Sequence, residues 1–433
     1  MSTPAARPTL PGPAPTKVRR RIAWMLGAFS VLSYILRMNI TIAQQTMAPE
    51  LGLSDVQIGQ VFTAFMLAYA IFQIPAGLLG DRRGPRLVLT LAALCWSAAT
   101  VLAGIIPGWI ATGTAAFVSL LALRFFLGVS EAATYPVAAR AVANWIPASE
   151  RVFSNAFLFA GAMAGAAFTP PLMAWLMQRF GWRMGFYITA ILPILLALPW
   201  WRNARDAPEQ HPGVNAEELT LIEQGRPPGF HDCGLKAWRA LAANGNILLL
   251  CFSYFLDTYV VFIFLFWLFK YLVDVRKFSL AGSGWATSLP YVFASLAVPV
   301  LGRFTDHLSL RRGLLPGRRA MAVACQVCAS ALLFAAAHAA EAWIAVAAIS
   351  VSVGLLSSTE GPYWSTAVEM AGPHSGAICG LLNMSGNLGG IASTSLVPIL
   401  VQHFGWTGAL ESASLVVLVA SGLWMLVRNR YSR

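Results

Sequence analysis

Leu123-Arg124-Phe125-Phe126-Leu127-Gly128-Val129-Ser130-Glu131 sets a cation and a carboxylate into a stretch that is otherwise apolar enough to lie in lipid as a helix. Glu131 follows Arg124 by seven residues. At about 3.6 residues per turn that is close to two whole turns, so both side chains leave one face, about 10 Å apart along the axis. A charge near the bilayer centre costs roughly 2.5–3.5 kcal/mol on insertion scales. Two such charges on one face point to a polar cavity inside a helical bundle, suited to binding an anion and moving it across the membrane.

The surrounding composition agrees. Of 433 residues, 57% are hydrophobic and 11% charged, and the mean hydropathy is +0.64. Soluble globular proteins carry about 25% charged residues. Long apolar runs recur without barrel-type alternation, so the chain reads as an all-α membrane protein embedded in a lipid bilayer. A formal net charge of +12 would suggest nucleic acid in a soluble protein. Here Lys and Arg lie in short loops, as the positive-inside rule expects, and no nucleic-acid partner is implied. Cys325 and Cys328 form a CxxC on an expected membrane helix with no second pair, and the six His are scattered. No metal, cofactor or redox role follows. No nucleophile elbow or phosphate loop is visible, so nothing supports an enzyme.

Residues 1–21 are expected to be a disordered, basic, cytoplasmic N-terminus, with Lys17, Arg19, Arg20 and Arg21 immediately before the first apolar run. That run, about 22–44, has no small-residue cleavage site and reads as a retained helix. Further spans are expected near 56–79, 87–106, 112–140, 152–177 and 183–201, completing a first bundle over 22–201. A polar cytoplasmic linker, 202–245, contains a short amphipathic helix over 216–225. Six more spans, near 246–272, 283–304, 319–338, 343–367, 374–400 and 407–427, form a second bundle over 246–427, with a cytoplasmic tail at 428–433. Arg82, Arg83, Arg86, Arg303, Arg311, Arg312, Arg318 and Arg319 then fall on the side of both termini, and Arg179, Arg183, Arg276 and Lys277 on the other; the balance puts both termini in the cytoplasm.

An internal repeat supports two pseudo-symmetric halves. Phe180-Gly181-Trp182 ends the fifth span and Phe404-Gly405-Trp406 the eleventh; Gly161 and Gly165 precede Pro170 as Gly386 and Gly389 precede Pro398. The loop from Gly77 through Asp81, Arg82 and Gly84 to Arg86 is echoed by Gly302-Arg303-Phe304-Thr305-Asp306-His307. Parallel six-helix halves with a site at their interface form a transporter architecture.

At these residues the chain resembles the major facilitator superfamily. Gly77 to Arg86 is similar to its loop signature, Gly-x-x-x-Asp-Arg-x-Gly-x-Arg. Three patches resemble the anion:cation symporter branch, which includes bacterial galactonate, glucarate and hexuronate transporters and the animal sialin and vesicular glutamate carriers. They are Tyr34-Ile35-Leu36-Arg37-Met38-Asn39, Arg124 through Glu131 to Pro136, and Leu382-Asn383-Met384-Ser385-Gly386-Asn387-Leu388-Gly389-Gly390. The resemblance implies a twelve-helix fold of two six-helix bundles. It implies that Arg37 contacts a substrate carboxylate and that Tyr34, Tyr69, Trp364 and Asn383 line the cavity. Arg124 and Glu131 match a fourth-helix pair in which the Glu is a protonation site. Two departures stand out: Leu36 occupies a position where galactonate-type members have Asp, and Ala162 one where the family has Gln. The first removes a proton carrier; the second implies a substrate less hydroxylated than an aldonate.

Taken residue by residue, Arg37 at mid-span offers a planar fork to a carboxylate, and no acid lies near it in sequence. An Arg124–Glu131 ion pair kept for structure alone is a weak account, since such pairs rarely stabilise more than apolar packing does. Desolvation favours a neutral acid while a nearby guanidinium favours the carboxylate, so protonation of Glu131 would respond to substrate. Asp257 and Glu360 are second proton-site candidates, or hydrogen-bonded structural acids. Lys270 reads as snorkelling to the interface. Asp81 and Arg82, with Gly77 and Gly84, read as a gating network at cytoplasmic helix ends. The expectation is a monomeric, proton-coupled symporter of a small organic anion in the cell inner membrane. An exporter or antiporter of lipophilic compounds is the alternative, and the 202–245 loop is too short and polar for a signalling module.

Overall fold

The computed structural model describes residues 14–147, 150–223, 244–371 and 375–428. Thirteen α-helices carry these residues: α1 Val18–Leu51, α2 Asp55–Arg83, α3 Pro85–Ile105, α4 Gly113–Glu131, α5 Thr134–Trp145, α6 Arg151–Asn203, α7 Ala216–Glu223, α8 Gly245–Asp274, α9 Leu280–Arg312, α10 Leu314–His338, α11 Ala342–Ser357, α12 Glu360–Ala371 and α13 Ser375–Leu426. Ten helical segments among the described residues are long and apolar enough to cross a membrane. Two of those crossings are continuous in neither case with one simple helix: α4 with α5, and α11 with α12, each make a single crossing that breaks midway.

Helices α6 and α13, of 53 and 52 residues, would each be about 80 Å long if straight, more than twice the roughly 30 Å hydrocarbon core. Both fold back at the glycine of their Phe-Gly-Trp sequence. Gly181 takes φ 80, ψ 166 and Gly405 takes φ 67, ψ 179, a backbone region that is essentially Gly-only. Each therefore crosses twice, and the total is twelve. The same duplication governs the broken crossings. Gly128 and Pro136 bracket the break after α4, and Gly354 and Pro362 bracket the break after α11, in the same register. A proline in a helix's first turn loses no hydrogen bond.

The halves, α1–α6 and α8–α13, are bridged from the far ends of α1 and α8 inward. Gln45 Nε2 donates to Asp274 (2.7 Å), and Lys270 pairs with Asp55 (3.2 Å) and Asp274 (2.7 Å). Lys270 thus links the halves, where a snorkelling side chain was expected. Phe62 meets Phe266 and Trp267 (5.1 and 5.4 Å between centroids), and Thr63 shares hydrogen bonds with Thr394 and Ser395 (both 2.8 Å). Asn383 Nδ2 donates to Gln73 (2.6 Å) about one turn past mid-depth. Beyond that point α2 packs on its own half, with Gly77 and Gly80 against Pro136 and Val137.

The N-terminus departs from expectation. Helix α1 begins at Val18, inside the segment read as a disordered tail, and Arg19 is buried. The reason lies in the linker: Glu218 of α7, fully buried, accepts from the backbone N–H groups of Val18 and Arg19 (3.2 and 3.1 Å), Arg19 Nη1 (3.1 Å) and Thr16 Oγ1. It caps the orphan donors that Lys17 leaves unmet. Arg19 also forks to Glu150 (3.1 Å twice), and these bonds hold that carboxyl below the usual range against its partial burial. Residues 1–13 and 429–433 lie outside the described residues.

Gly405→Ala tests the fold-back. A Cβ there meets nothing within 4 Å, so the cost is backbone strain alone, roughly 1–3 kcal/mol. The melting temperature in detergent should fall; a variant melting with wild type would mean the break does not require glycine.

Candidate functional site

Helix α1 is the central element of the first half. Ser30, Ser33, Arg37, Asn39, Thr41 and Gln44 are all buried along it, a polar content that only a bundle interior tolerates. At mid-depth the Arg37 guanidinium, 3% exposed, lies 3.4 Å from Glu131 Oε1, which is 1% exposed. Neither Glu131 oxygen nor the Arg37 Nε and Nη2 atoms makes a hydrogen bond of good geometry, although Ser33 and Arg37 both lie near the carboxylate. Leaving a buried polar group unmet costs about 1–3 kcal/mol. Ring faces offset part of this: the Arg37 Cζ sits 4.8 Å from the Tyr34 centroid, 4.7 Å from Tyr69 and 5.2 Å from Phe65. The result is a cation in an aromatic cage with one loosely held carboxylate, an arrangement able to take a second anionic partner.

Arg124 and Glu131 do share one face of α4, and that face turns toward α1. Their partners differ from a simple Arg124–Glu131 pair. Arg124 donates through Nη1 to the Leu36 carbonyl (3.2 Å) and through Nη2 to that of Arg37 (3.0 Å), so it fastens α4 to α1 directly behind Arg37. Its Cζ lies 4.9 Å from the Phe65 centroid. One ring therefore serves both guanidinium groups. Phe65 lies in an apolar run of α2 and carries no sequence signal of its own. Tyr135, inside the quoted fourth-helix patch, bonds Ser30 (2.9 Å) and was not singled out either.

In the second half Glu360 opens α12 at the break of its crossing. Its oxygens accept from Tyr254 Oη (3.0 and 2.9 Å) and from Trp364 Nε1 (2.8 Å). Tyr34 lies within electrostatic range of Arg37, Tyr69, Glu131 and, from the opposite half, Glu360. Trp364, Tyr34, Glu360 and Asn383 are half-buried, whereas Asp257 is 1% exposed. Asp257 accepts from Gln326 (2.8 Å) and Thr359 (3.3 Å), inside a network that includes Tyr363 and Ser253. The structure thus assembles Arg37, Arg124, Glu131, Tyr34 and Tyr69 in one cluster and Glu360 with Trp364 in a second. Asp257 stands in its own hydrogen-bonded network, and Asn383 bridges to Gln73.

At the helix ends near the N-terminus, Asp81 pairs with Arg140 of α5 (3.6 Å), both about two-fifths exposed. Arg82 is exposed. Gly77 approaches Pro136, where a Cβ would come within 3.3 Å, and Gly84 at φ +81 lies against the Asp206 carboxylate. Asp206 caps α3 through the Arg86 N–H (2.9 Å), while the Arg86 side chain bonds the Trp201 carbonyl (3.0 and 2.7 Å) and covers its ring. Arg140, Asp206 and Trp201 are parts of this network that the loop signature does not contain.

Comparison with known proteins agrees with this architecture. The sequence profile of the Major Facilitator Superfamily matches residues 26–394 and 276–433. The chain is 32% identical to the probable galactarate/D-glucarate transporter GudP of Bacillus subtilis, over 91% of this chain and 88% of that one. It is 31% identical to the probable sulfoacetate transporter SauU of Cupriavidus necator (90% and 89%), and 27% identical to the D-galactonate transporter of Escherichia coli (94% and 96%). Its fold is similar to that of a bacterial homologue of the human lysosomal transporter Spinster in an inward-facing, unoccupied conformation. That match has a TM-score of 0.78 at 17% identity and covers 95% of this chain and 97% of that one. The chain belongs to the Major Facilitator Superfamily and is a multi-pass membrane transporter, not an enzyme.

Proposed function

We propose that this transporter is a proton-coupled symporter that brings a small organic anion, a sugar acid or another carboxylate, into the cytoplasm by alternating access. The observation that carries the reading is the buried Arg37–Glu131 pair at 3.4 Å, whose carboxylate makes no hydrogen bond of good geometry. A substrate carboxylate reaching Arg37 competes with Glu131 for one guanidinium fork. Both negative charges beside it in a desolvated cage are costly. Protonation of Glu131 removes the competitor and frees the fork, so proton and anion load together. The names of the relatives, galactarate/D-glucarate, sulfoacetate and D-galactonate, are all of carboxylates and support the substrate class.

Arg124 adds positive charge behind Arg37. Tyr34, Tyr69, Trp364 and Asn383 line the anion's seat. Leu36, lying beside Arg37 in place of an acid, leaves Glu131 as the main proton site, with Glu360 and Asp257 as further carboxyls able to balance charge in the empty carrier. One chain holds a complete site between its own halves and works as a monomer. The basic loops favour a cell inner membrane protein with both termini cytoplasmic. In that orientation the Lys270–Asp55–Asp274–Gln45 bridge closes the outer end, and the conformation is inward-facing. Asp81, Arg82, Gly77 and Gly84, joined by Arg140, form the inner gate that tightens in the opposite state.

Four outcomes test this, once a thermal-shift screen of galactarate, D-glucarate, D-galactonate and sulfoacetate has identified a ligand. In proteoliposomes, labelled ligand should accumulate under an acid-outside gradient, and faster as the outer pH falls. Glu131→Gln should abolish that accumulation while sparing ligand exchange; uptake indifferent to the gradient would remove the coupling. Arg37→Lys keeps the charge and loses the planar fork, so the half-saturating concentration should rise roughly ten-fold, about 1.4 kcal/mol. Lys270→Gln should shift spin-label distances between the far ends of α1 and α8 toward separation; unchanged distances would show that the bridge does not hold the outer end closed.

A further inference from the structure

We propose that Phe65 is the positioning residue of the anion seat: its ring, shared by the Arg37 and Arg124 guanidinium groups, sets the orientation in which Arg37 meets a carboxylate. The proposal rests on the reading of Arg37 as the anion's partner and adds the device that aims it.

The geometry is specific. The Phe65 centroid is 5.2 Å from Arg37 Cζ and 4.9 Å from Arg124 Cζ, both inside the range of cation–π attraction. The ring is fully buried and lies nearly parallel to Tyr69 (18°, 6.0 Å), another wall of the Arg37 cage. Its backbone carbonyl is wedged against Gly128, where a Cβ would come within 2.4 Å. That contact ties the ring to the helix carrying both Arg124 and Glu131, one turn from the carboxylate. Arg37 Nε and Nη2 and Arg124 Nε have no hydrogen-bond partner. Arg124 is also fixed by its two bonds to the α1 backbone, whereas Arg37 has only the 3.4 Å approach of Glu131 beside its ring faces; without those faces its guanidinium would lose the register that a bidentate carboxylate needs.

Phe65 also stands beside the interface between the halves. On α2, Phe62 packs on Phe266 and Trp267, Thr63 bonds Thr394 and Ser395, and Met66 lies against Gly390. Phe65 and Tyr69, one turn apart, form the adjoining stripe that faces the arginines. An anion that moves Arg37 thus acts on the same helix that joins the halves.

The test compares Phe65→Leu, Phe65→Tyr and pentafluorophenylalanine placed at position 65, which keeps the shape of the ring and reverses its quadrupole. Readouts are the half-saturating ligand concentration, the maximal rate and the melting temperature. Phe65→Leu should raise the half-saturating concentration roughly ten-fold with little change in maximal rate, Phe65→Tyr should restore it, and the fluorinated ring should raise it with no change in melting. A fluorinated protein with wild-type affinity overturns the proposal, as does a parallel fall of rate and melting in all three forms. Arg37→Lys separates the two ideas: raised there but unchanged in the Phe65 forms leaves the anion site standing without this device, and unchanged in both removes the site itself.

Discussion

A guanidinium and a carboxylate held in apolar surroundings without hydrogen bonds between them form the constraint on which the rest of the structure turns. Taking Arg37 and Glu131 out of water costs several kcal/mol per ion, and a 3.4 Å approach lacking hydrogen-bond geometry returns only part of it. The surrounding bundle supplies what the pair does not. Three aromatic faces cover the Arg37 cation, and Arg124 fixes the neighbouring backbone of α1. A pair kept in place by its surroundings, rather than by its own bonds, is one that another anion or a proton can part at low cost.

The two halves repeat in backbone and differ in charge. Gly181 and Gly405 turn the same corner, and the Gly128–Pro136 and Gly354–Pro362 spacings break corresponding crossings. Yet the first half sets guanidinium groups against its acid, whereas the acids of the second half are held by neutral donors. Glu360 accepts from Tyr254 and Trp364, and Asp257 from Gln326 and Thr359. Neutral donors satisfy a carboxyl without adding positive charge, so the guanidinium groups of this buried layer belong to the first half and the second half contributes carboxyls held by neutral partners. Duplication accounts for the scaffold, and side chains placed on it account for the polarity.

Much of this was legible locally. A charge inside an apolar run is conspicuous because its insertion cost is a property of the residue and the bilayer. That cost makes Arg37, Arg124, Glu131, Asp257 and Glu360 conspicuous in the amino-acid order itself. Glycine between two aromatics, twice, marked the fold-backs because positive φ is a property of glycine itself. Phe65 stayed hidden, since one more Phe in an apolar helix differs from its neighbours only in what it faces. Glu218 and Asp206 stayed hidden for the opposite reason: in a polar linker a carboxylate is unremarkable until a helix N-terminus is brought to it.

The amino-acid order by itself determined a helical membrane protein of two repeated halves with ionisable groups inside, because hydropathy, glycine conformation and the cost of buried charge act over a few residues. Only the tertiary structure decided who partners whom: Arg124 with the carbonyls of α1, Arg37 with Glu131, Lys270 across the halves, and Arg19 with Glu150 and Glu218. Those choices depend on the rotation and depth of helices distant in sequence, and a shift of one residue turns a side chain by about 100° to another neighbour. Chain order therefore names the charged groups, and packing assigns their work.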